Sequence, residues 1–321
     1  MPSRRARRRA ARPAVRRPRL RSALAQGGGD TAVSSAASSS VSPSASASTA
    51  PGADAVAEEG SVESVAAPEA DHDARLAKAL AAVPVEDGAA FSVAVLDMES
   101  GAGAGYGGGR FETASIVKVD ILAALLLQAQ DAGRGLTAQE QTYAGTMIRD
   151  SDNTAATKLW KAIGEAEGLD AANERFGLTE TEGGDGLYWG LTRTTAADQL
   201  VLLRQVFGDD DESKLSGASR TYVRGLMGQI AAGQDWGVSA AAAAGSSSGV
   251  SPGSSGVGFA LKNGWLPRTA TGLWVINSVG RVTVDGRGCL VAVVSHGNTT
   301  KAKGIALVEA AARAGVSVFS S

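Results

Sequence analysis

The stretch of residues 115–132 constrains the fold of this chain more than any other. Drawn as a helix, it is apolar on every side, and its centre is the unbroken apolar run of residues 121–127. A helix that is hydrophobic all round is a buried helix, so we expect it to run through the middle of a domain. The apolar run is far shorter than the roughly 18 residues that span a bilayer, so no transmembrane helix is expected.

Hydrophobic spacing around this helix predicts the remaining elements. The predicted strands cover residues 91–97, 104–106, 257–262, 272–279 and 289–295. The other predicted helices cover residues 74–83, 154–163, 170–176, 195–207, 219–232 and 301–314. Strands at both ends of a helical block are typical of an α+β fold. We therefore predict an antiparallel sheet of about five strands, with the terminal helices on one face and a mostly helical subdomain on the other.

Composition divides the chain into three parts. Residues 1–25 form a basic, arginine-rich segment. Residues 26–72 consist largely of Ser, Ala, Gly and Pro with almost nothing to bury, which predicts a disordered linker. Residues 73–321 are predicted to form the folded domain, interrupted by a low-complexity stretch, residues 239–256, that we expect to be a floppy loop.

Charge and residue counts exclude several function classes. The first 22 residues hold ten of the 31 basic residues, which leaves 21 basic against 33 acidic residues and a net charge of about −12. An acidic body argues against a nucleic-acid partner. The one cysteine, Cys289, excludes an intrachain disulfide, and the two histidines, His72 and His296, are too few for a zinc site. We expect no metal, no organic cofactor and a monomer that binds a small molecule.

Three short motifs could carry chemistry: Ser115-x-x-Lys118, Ser151-Asp152-Asn153 and Lys262-Asn263-Gly264. Ser115 falls where a glycine-rich loop enters the apolar helix, and the spacing of three places Lys118 on the same face one turn later. A buried lysine can avoid the cost of its charge by a lowered pKa, and a neutral amine beside a serine is a general base. In the alternative interpretation, Ser115 only caps the helix and Lys118 extends to the surface.

Together with their flanks, the motifs resemble those of the serine penicillin-recognising enzymes, in particular class A β-lactamase-like serine hydrolases, whose signature is S-x-x-K, S-D-N and K-T-G. Residues 151–156 read S-D-N-T-A-A, as is usual in that family. Residues 91–97 followed by Gly101 look like the family's first hairpin, and residues 194–197 resemble the start of the helix after its omega-shaped loop. The resemblance covers about residues 74–316.

The resemblance implies a role for each matching residue. Ser115 would be the nucleophile, Lys118 would accept its proton, and Ser151 would relay a proton to the leaving nitrogen. The residues implied to bind substrate are Asn153, Lys262, Asn263, Gly264 and Trp265. The N–H groups of Ser115 and Trp265 would form the oxyanion hole. Asp152 would instead fix its loop through backbone hydrogen bonds.

Two departures from the family pattern bear on turnover. The family's E-x-x-L-N segment, whose glutamate activates the water that releases the acyl group, is absent, and Glu180 and Glu182 are the candidates for its role. Asn263 stands where the family usually has Thr or Ser, and its amide N–H would have to replace the hydroxyl that binds the β-lactam carboxylate, at a different reach. We expect intact acylation and doubtful deacylation.

The first interpretation is therefore a β-lactamase-like serine hydrolase. An enzymatic alternative is a D-Ala-D-Ala-type peptidase or esterase, and a non-enzymatic alternative is a penicillin-binding-like module of the cell envelope. Members of the family usually act outside the cytoplasmic membrane, so we expect a secreted or envelope-tethered protein. Residues 1–22 lack the apolar segment of a secretory signal, which keeps a cytoplasmic location as the alternative.

Overall fold

The computed structural model describes residues 71–244 and 258–319. The strands are β1 (Ala90–Asp97), β2 (Gly103–Tyr106), β3 (Phe111–Glu112), β4 (Arg193–Thr194), β5 (Phe259–Pro267), β6 (Trp274–Val284) and β7 (Arg287–His296). The helices are α1 (His72–Leu80), α2 (Val117–Asp131), α3 (Ala138–Arg149), α4 (Asn153–Ile163), α5 (Glu165–Phe176), α6 (Ala196–Phe207), α7 (Gly217–Met227), α8 (Ser239–Ala244) and α9 (Lys301–Ser317). Short 3-10 turns cover Ala114–Ile116 and Trp189–Leu191.

An antiparallel sheet in the order β2-β1-β7-β6-β5 divides the domain into two layers, which confirms the predicted α+β architecture. Side chains along each strand alternate between the two faces. Val291 and Val293 of β7 pack with the terminal helices α1 and α9 and with α8. Leu290 and Ala292, on the opposite face, pack with the helical block. The edge strand β5 lies against that helical block and contacts α7 and the segment that precedes α2.

Helix α2 is buried along almost its whole length, as its apolar sequence predicts. Its residues from Val117 to Leu127 are at most 6% exposed, and helices α3, α4, α5 and α7 cover it. Two charged side chains, Lys118 and Asp120, are enclosed with it at 0% exposure. A buried helix of this kind holds its polar groups in fixed positions, since its neighbours leave them no room to turn away.

The structure corrects several details of the sequence-based prediction. Helix α3 was not predicted, and neither was the small sheet formed by β3 and β4. The stretch of residues 239–256 is not a loop throughout, because its first six residues form α8, in which Ala241 and Ala242 are buried. An alanine run favours helix, and here it packs against α9 and β6. Predictions for residues 1–70 and 245–257 lie outside the described residues.

Asp120 is a buried carboxyl group that the motifs do not include. Within the described residues, neither of its carboxylate oxygens has a hydrogen-bond partner of normal geometry. Burial raises the pKa of Asp120 to about 8, and the negative charges of Asp170 and Asp198 add to the rise, while the amide of Asn173 opposes it. Asp120 is therefore held as the neutral acid in the folded protein at pH 7.

Replacing Asp120 with Asn should flatten the pH dependence of stability. The folded state keeps a proton on Asp120 from pH 3.8 to about 8, whereas the unfolded chain releases it near pH 3.8. The free energy of unfolding of the wild type should thus fall as pH rises through this window, by about 4 kcal/mol between pH 5 and pH 8. Urea unfolding at pH 5 and pH 8 measures the slope, which the exposed control Asp87→Asn should leave unchanged. Equal slopes for Asp120→Asn and wild type would contradict this assignment.

Candidate active site

Ser115 lies in the 3-10 turn that leads into α2, and its side chain is half-buried. The preceding residue, Ala114, has a φ of 48°, in the left-handed region that residues with a Cβ rarely adopt. Ser151 has a φ of 56°, so backbone strain occurs directly before the first motif and within the second. Conformations of this kind cost about 1–3 kcal/mol each and cluster at functional sites.

Lys118 points from the first turn of α2 at the Ser151-Asp152-Asn153 motif. Its Nζ donates to the backbone O of Ser151 at 2.6 Å, to Ser151 Oγ at 3.1 Å and to Asn153 Oδ1 at 2.8 Å. Asp152 does not face Lys118 directly, because its Oδ1 accepts from the backbone N–H of Ala155 and caps α4. The alternative in which Lys118 extends to the surface is wrong.

The enclosed amine of Lys118 holds its proton less tightly than the amine of an exposed lysine. Burial lowers the pKa of Lys118 to about 7, against the smaller opposite effect of the Asp152 charge. Near neutral pH, both the protonated and the neutral amine of Lys118 are therefore accessible. The hydrogen bonds of Lys118 described above go to Ser151 and Asn153, so its role as the base that takes the proton of Ser115 stays a prediction.

Lys262 approaches the same serine from the edge strand β5. Its Nζ donates to Ser151 Oγ at 3.0 Å and to the backbone O of Asn263 at 2.9 Å. Burial, and then the nearby charge of Lys118, hold the pKa of Lys262 well below its ordinary value. We call Lys118, Ser151 and Lys262 the Lys-Ser-Lys cluster. A hydroxyl accepts at most two hydrogen bonds, and both amines donate to Ser151 Oγ. The hydroxyl proton of Ser151 is therefore available to donate to a third group.

Gly264 brings β5 against the backbone of the nucleophile. A Cβ at this position would lie 2.7 Å from Thr113 O, 2.8 Å from Ser115 N and 2.9 Å from Ile116 N. Only a residue without a side chain allows this approach. Because β5 is the edge of the sheet, the N–H groups on its outer side are not used by a further strand of that sheet.

Asn263 and Trp265, on either side of Gly264, make contacts within the protein. Asn263 Nδ2 donates to the backbone O of Gln234 at 2.9 Å and of Trp236 at 2.8 Å, so both of its amide N–H groups are occupied. The ring of Trp265 packs edge-on against Trp236 and lies under Lys301, whose Nζ is 4.3 Å from the ring centroid. Substrate contacts by Asn263 and Trp265 remain predictions.

The structure does not bring Glu180 or Glu182 into contact with Lys118. The backbone N–H of Glu180 donates to Asp198 Oδ2, and its side chain is exposed. Glu182 is 68% exposed and pairs with Arg110 at 3.1 Å. The group from this loop that lies against Lys118 is Trp189, with 4.9 Å between Nζ and the ring centroid. The role of the two glutamates in deacylation stays a prediction.

Sequence reasoning missed two residues that hold the site in place. Trp189 Nε1 donates to Thr157 Oγ1 at 3.1 Å, which fixes the ring over Lys118. Asn277, on β6, donates from Nδ2 to the backbone O of Glu112 at 2.8 Å and of Thr113 at 2.9 Å, and thereby anchors the segment before Ser115. No local pattern marks either residue, since each acts through partners far away in sequence.

The remaining reactive side chains lie apart from this cluster. Cys289 is buried, and burial raises the pKa of its thiol to about 11. The ring of His296 packs against Phe111 at 5.1 Å, and that of His72 against Phe319 at 5.6 Å. In the part of the chain that the structure describes, no group of three or more His, Cys, Asp and Glu side chains is placed to hold a metal ion. No helix in that part is long and apolar enough to cross a membrane.

Solved structures share this fold along most of their length. A point mutant of PBP-A, in an acyl-enzyme complex with penicillin G, is 20% identical with a TM-score of 0.60, covering 75% of this chain and 94% of that one. A mutant class A β-lactamase of the last common ancestor of Gram-negative bacteria is 22% identical with a TM-score of 0.57, covering 77% and 98%. A β-lactamase from Chitinophaga pinensis is 17% identical with a TM-score of 0.58, covering 76% and 97%. At these identities the likeness is one of fold.

Comparisons of sequence identify the family. No curated protein matches the chain. The model of the β-lactamase enzyme family matches residues 133–319, which include Ser151 and Lys262 and make up more than half of the chain. Taken with the fold and the Lys-Ser-Lys cluster, this match shows that the protein belongs to the β-lactamase enzyme family.

Proposed function

We propose that this protein is a serine hydrolase that forms an acyl-enzyme at Ser115 from a β-lactam or a related cyclic or peptidic amide. The observation that carries the proposal is the Lys-Ser-Lys cluster, in which two buried amines converge on Ser151 Oγ at 3.1 and 3.0 Å. Burying two amines beside each other destabilises the folded state, so this arrangement is more typical of a functional site than of a structural one. Proton transfer between Ser115 and a leaving nitrogen supplies one.

The proposed acylation needs only groups of this chain. Neutral Lys118 takes the proton of Ser115 as Ser115 Oγ attacks the carbonyl carbon, and the oxyanion accepts hydrogen bonds from the N–H groups of Ser115 and Trp265. When the C–N bond breaks, Ser151 passes its proton to the leaving nitrogen and regains one from Lys118. Lys262 holds Ser151 in place through its hydrogen bond to Ser151 Oγ, and its protonated form would attract a substrate carboxylate.

We further propose that the acyl-enzyme is released slowly. Release requires a base that activates water beside the ester, and a carboxylate is the usual choice. The indole of Trp189 occupies one side of Lys118, while the carboxylate of Glu182 pairs with Arg110. An indole neither accepts a proton from water nor binds it in an orientation for attack.

Intact-mass time courses with a simple penicillin test both steps. We expect a mass increase equal to one penicillin, present in the wild type, absent in Ser115→Ala, and persisting over minutes to hours. Circular dichroism of Ser115→Ala controls for folding. An adduct that also forms on Ser115→Ala would refute the nucleophile assignment, and one that decays within seconds would refute slow release.

The two alternative functions leave different signatures in the same assay. A peptidase or esterase would release product from peptides ending in D-Ala-D-Ala or from thioesters faster than from penicillin. A binding module of the envelope would show penicillin affinity without a covalent adduct. We favour the hydrolase because a non-catalytic module has no need for an amine whose pKa is lowered to about 7.

We propose an extracytoplasmic location for the protein, because β-lactams and cell-wall peptides are met outside the cytoplasmic membrane. Fractionation of the source cells, with sequencing of the mature N-terminus, tests this. An intact start at Met1 or Pro2 in the cytosolic fraction would overturn it.

A further inference from the structure

A cavity of about 420 Å³ lies at the end of the main sheet, where β5 and β7 end and β6 begins. Its lining includes Arg110, Glu112, Arg193, Arg268, Thr271 and His296. None of the residues that we place in acylation lines it. Its volume lies within the range of cavities that enclose small-molecule ligands.

The lining of this cavity carries a net positive charge in an otherwise acidic domain. Three arginines line it against one glutamate. Arg268 Nη2 lies 3.1 Å from Glu112 Oε1, and Arg110 Nη1 lies 3.1 Å from Glu182 Oε2. Neither of these two ion pairs includes Arg193, and Glu182 is not part of the lining. Among the described residues, Arg193 is therefore the arginine of the lining that takes part in neither ion pair. The glutamates that pair with Arg110 and Arg268 are partly exposed to solvent.

One of the three arginines lies in a strand, and each of the other two lies directly beside the end of one. Arg110 directly precedes β3, Arg193 opens β4, and Arg268 directly follows β5. Glu112 and Arg193 are register partners in the β3–β4 sheet, so the negative and positive groups are fixed on neighbouring strands. Arg193, which starts from a paired strand, is therefore better preorganised for a ligand than a side chain on a free loop would be.

We propose that this cavity binds a small anion with two or more acidic groups. Arg193 would hold one group through a bidentate hydrogen-bonded pair, which the planar guanidinium favours for carboxylate and phosphate alike. A second acidic group would be placed to share Arg268 or Arg110 with the glutamates. A monovalent anion would neutralise Arg193 alone and leave most of the cavity unfilled.

Calorimetric titration of the full chain with citrate and with pyrophosphate tests the site. Citrate reports binding of carboxylates and pyrophosphate reports binding of phosphates. We expect saturable binding of at least one probe, weakened tenfold or more by Arg193→Gln and by Arg268→Gln. Glu112→Gln should strengthen binding severalfold, because it removes the competing carboxylate. Arg313→Gln, an exposed arginine on α9, is the matched control and should bind as the wild type does.

Comparison of the variants and NMR titration distinguish binding in the cavity from binding elsewhere on the chain. The ten arginines of residues 1–22 also attract anions, but they are common to all variants, so only differences between variants report on the cavity. NMR shifts of the backbone amides of Thr271 and Gly297 should move during the titration and follow the same affinity. The proposal is overturned if neither probe binds, if Arg193→Gln binds as tightly as the wild type, or if Glu112→Gln weakens binding.

Discussion

Replacing Lys118 with Ala should slow acylation of Ser115 by about 10²–10⁴-fold, the usual contribution of a positioned general base. In the wild type, the acylation rate should rise with pH and reach half of its maximum near pH 7, because burial lowers the pKa of Lys118 to about 7 and only the neutral amine accepts the proton. Above this pH the rate should level off. Stopped-flow acylation by a chromogenic cephalosporin between pH 5 and pH 9 measures both quantities.

Two further variants separate base catalysis from loss of structure. Lys118→Met keeps the apolar stem and removes the amine, so a slow but folded Lys118→Met variant points to chemistry. Lys158→Ala removes an exposed lysine of α4 and should leave the rate and its pH profile unchanged. A wild-type profile that is flat from pH 5 to pH 9 would contradict the role of Lys118 as the base.

The parts of the fold that the sequence predicts well are those with an unambiguous hydrophobic pattern. Helix α2 follows from an apolar stretch that no surface can accommodate. The predicted strands at residues 91–97 and 289–295 lie within two residues of the ends of β1 and β7, both rich in valine and leucine. Helix α3 has few large apolar residues, yet it begins with a capping box between Thr137 and Glu140 that reading for hydrophobic spacing alone overlooks. Helix α8 was hidden because an alanine-rich segment beside a serine-rich one has the composition of a linker.

The candidate site shows a similar division. Ser115, Lys118 and Ser151 could be proposed from local motifs, and the structure joins Lys118 to Ser151 through two hydrogen bonds. The contact of Trp189 with Lys118 could not be proposed, because it depends on how the loop between α5 and α6 folds back over α2. Contacts of this kind join residues that are far apart in sequence. They depend on how the chain packs, and they leave no local pattern in a single sequence.

Replacing Gly264 with Ala should damage both stability and acylation. The added Cβ would approach three backbone atoms at 2.7–2.9 Å, and backbone cannot turn aside as a long side chain can. Either β5 or the turn that carries Ser115 must move, at a cost of about 1–3 kcal/mol in the free energy of unfolding. Since one of the three atoms is the N of Ser115, an oxyanion donor in our proposal, the acylation rate should fall by about 10²–10³-fold.

Gly225→Ala is the matched control for this substitution. Gly225 lies in α7, where a Cβ would meet nothing within 4 Å, so alanine should stabilise the protein by about 0.5–1 kcal/mol and leave acylation unchanged. Urea unfolding and the acylation rate of the folded fraction are measured for both variants. Because Gly264→Ala disturbs only one side of the oxyanion site, penicillin should still form its adduct at Ser115, more slowly. A Gly264→Ala protein that acylates at the wild-type rate would show that β5 does not position the nucleophile.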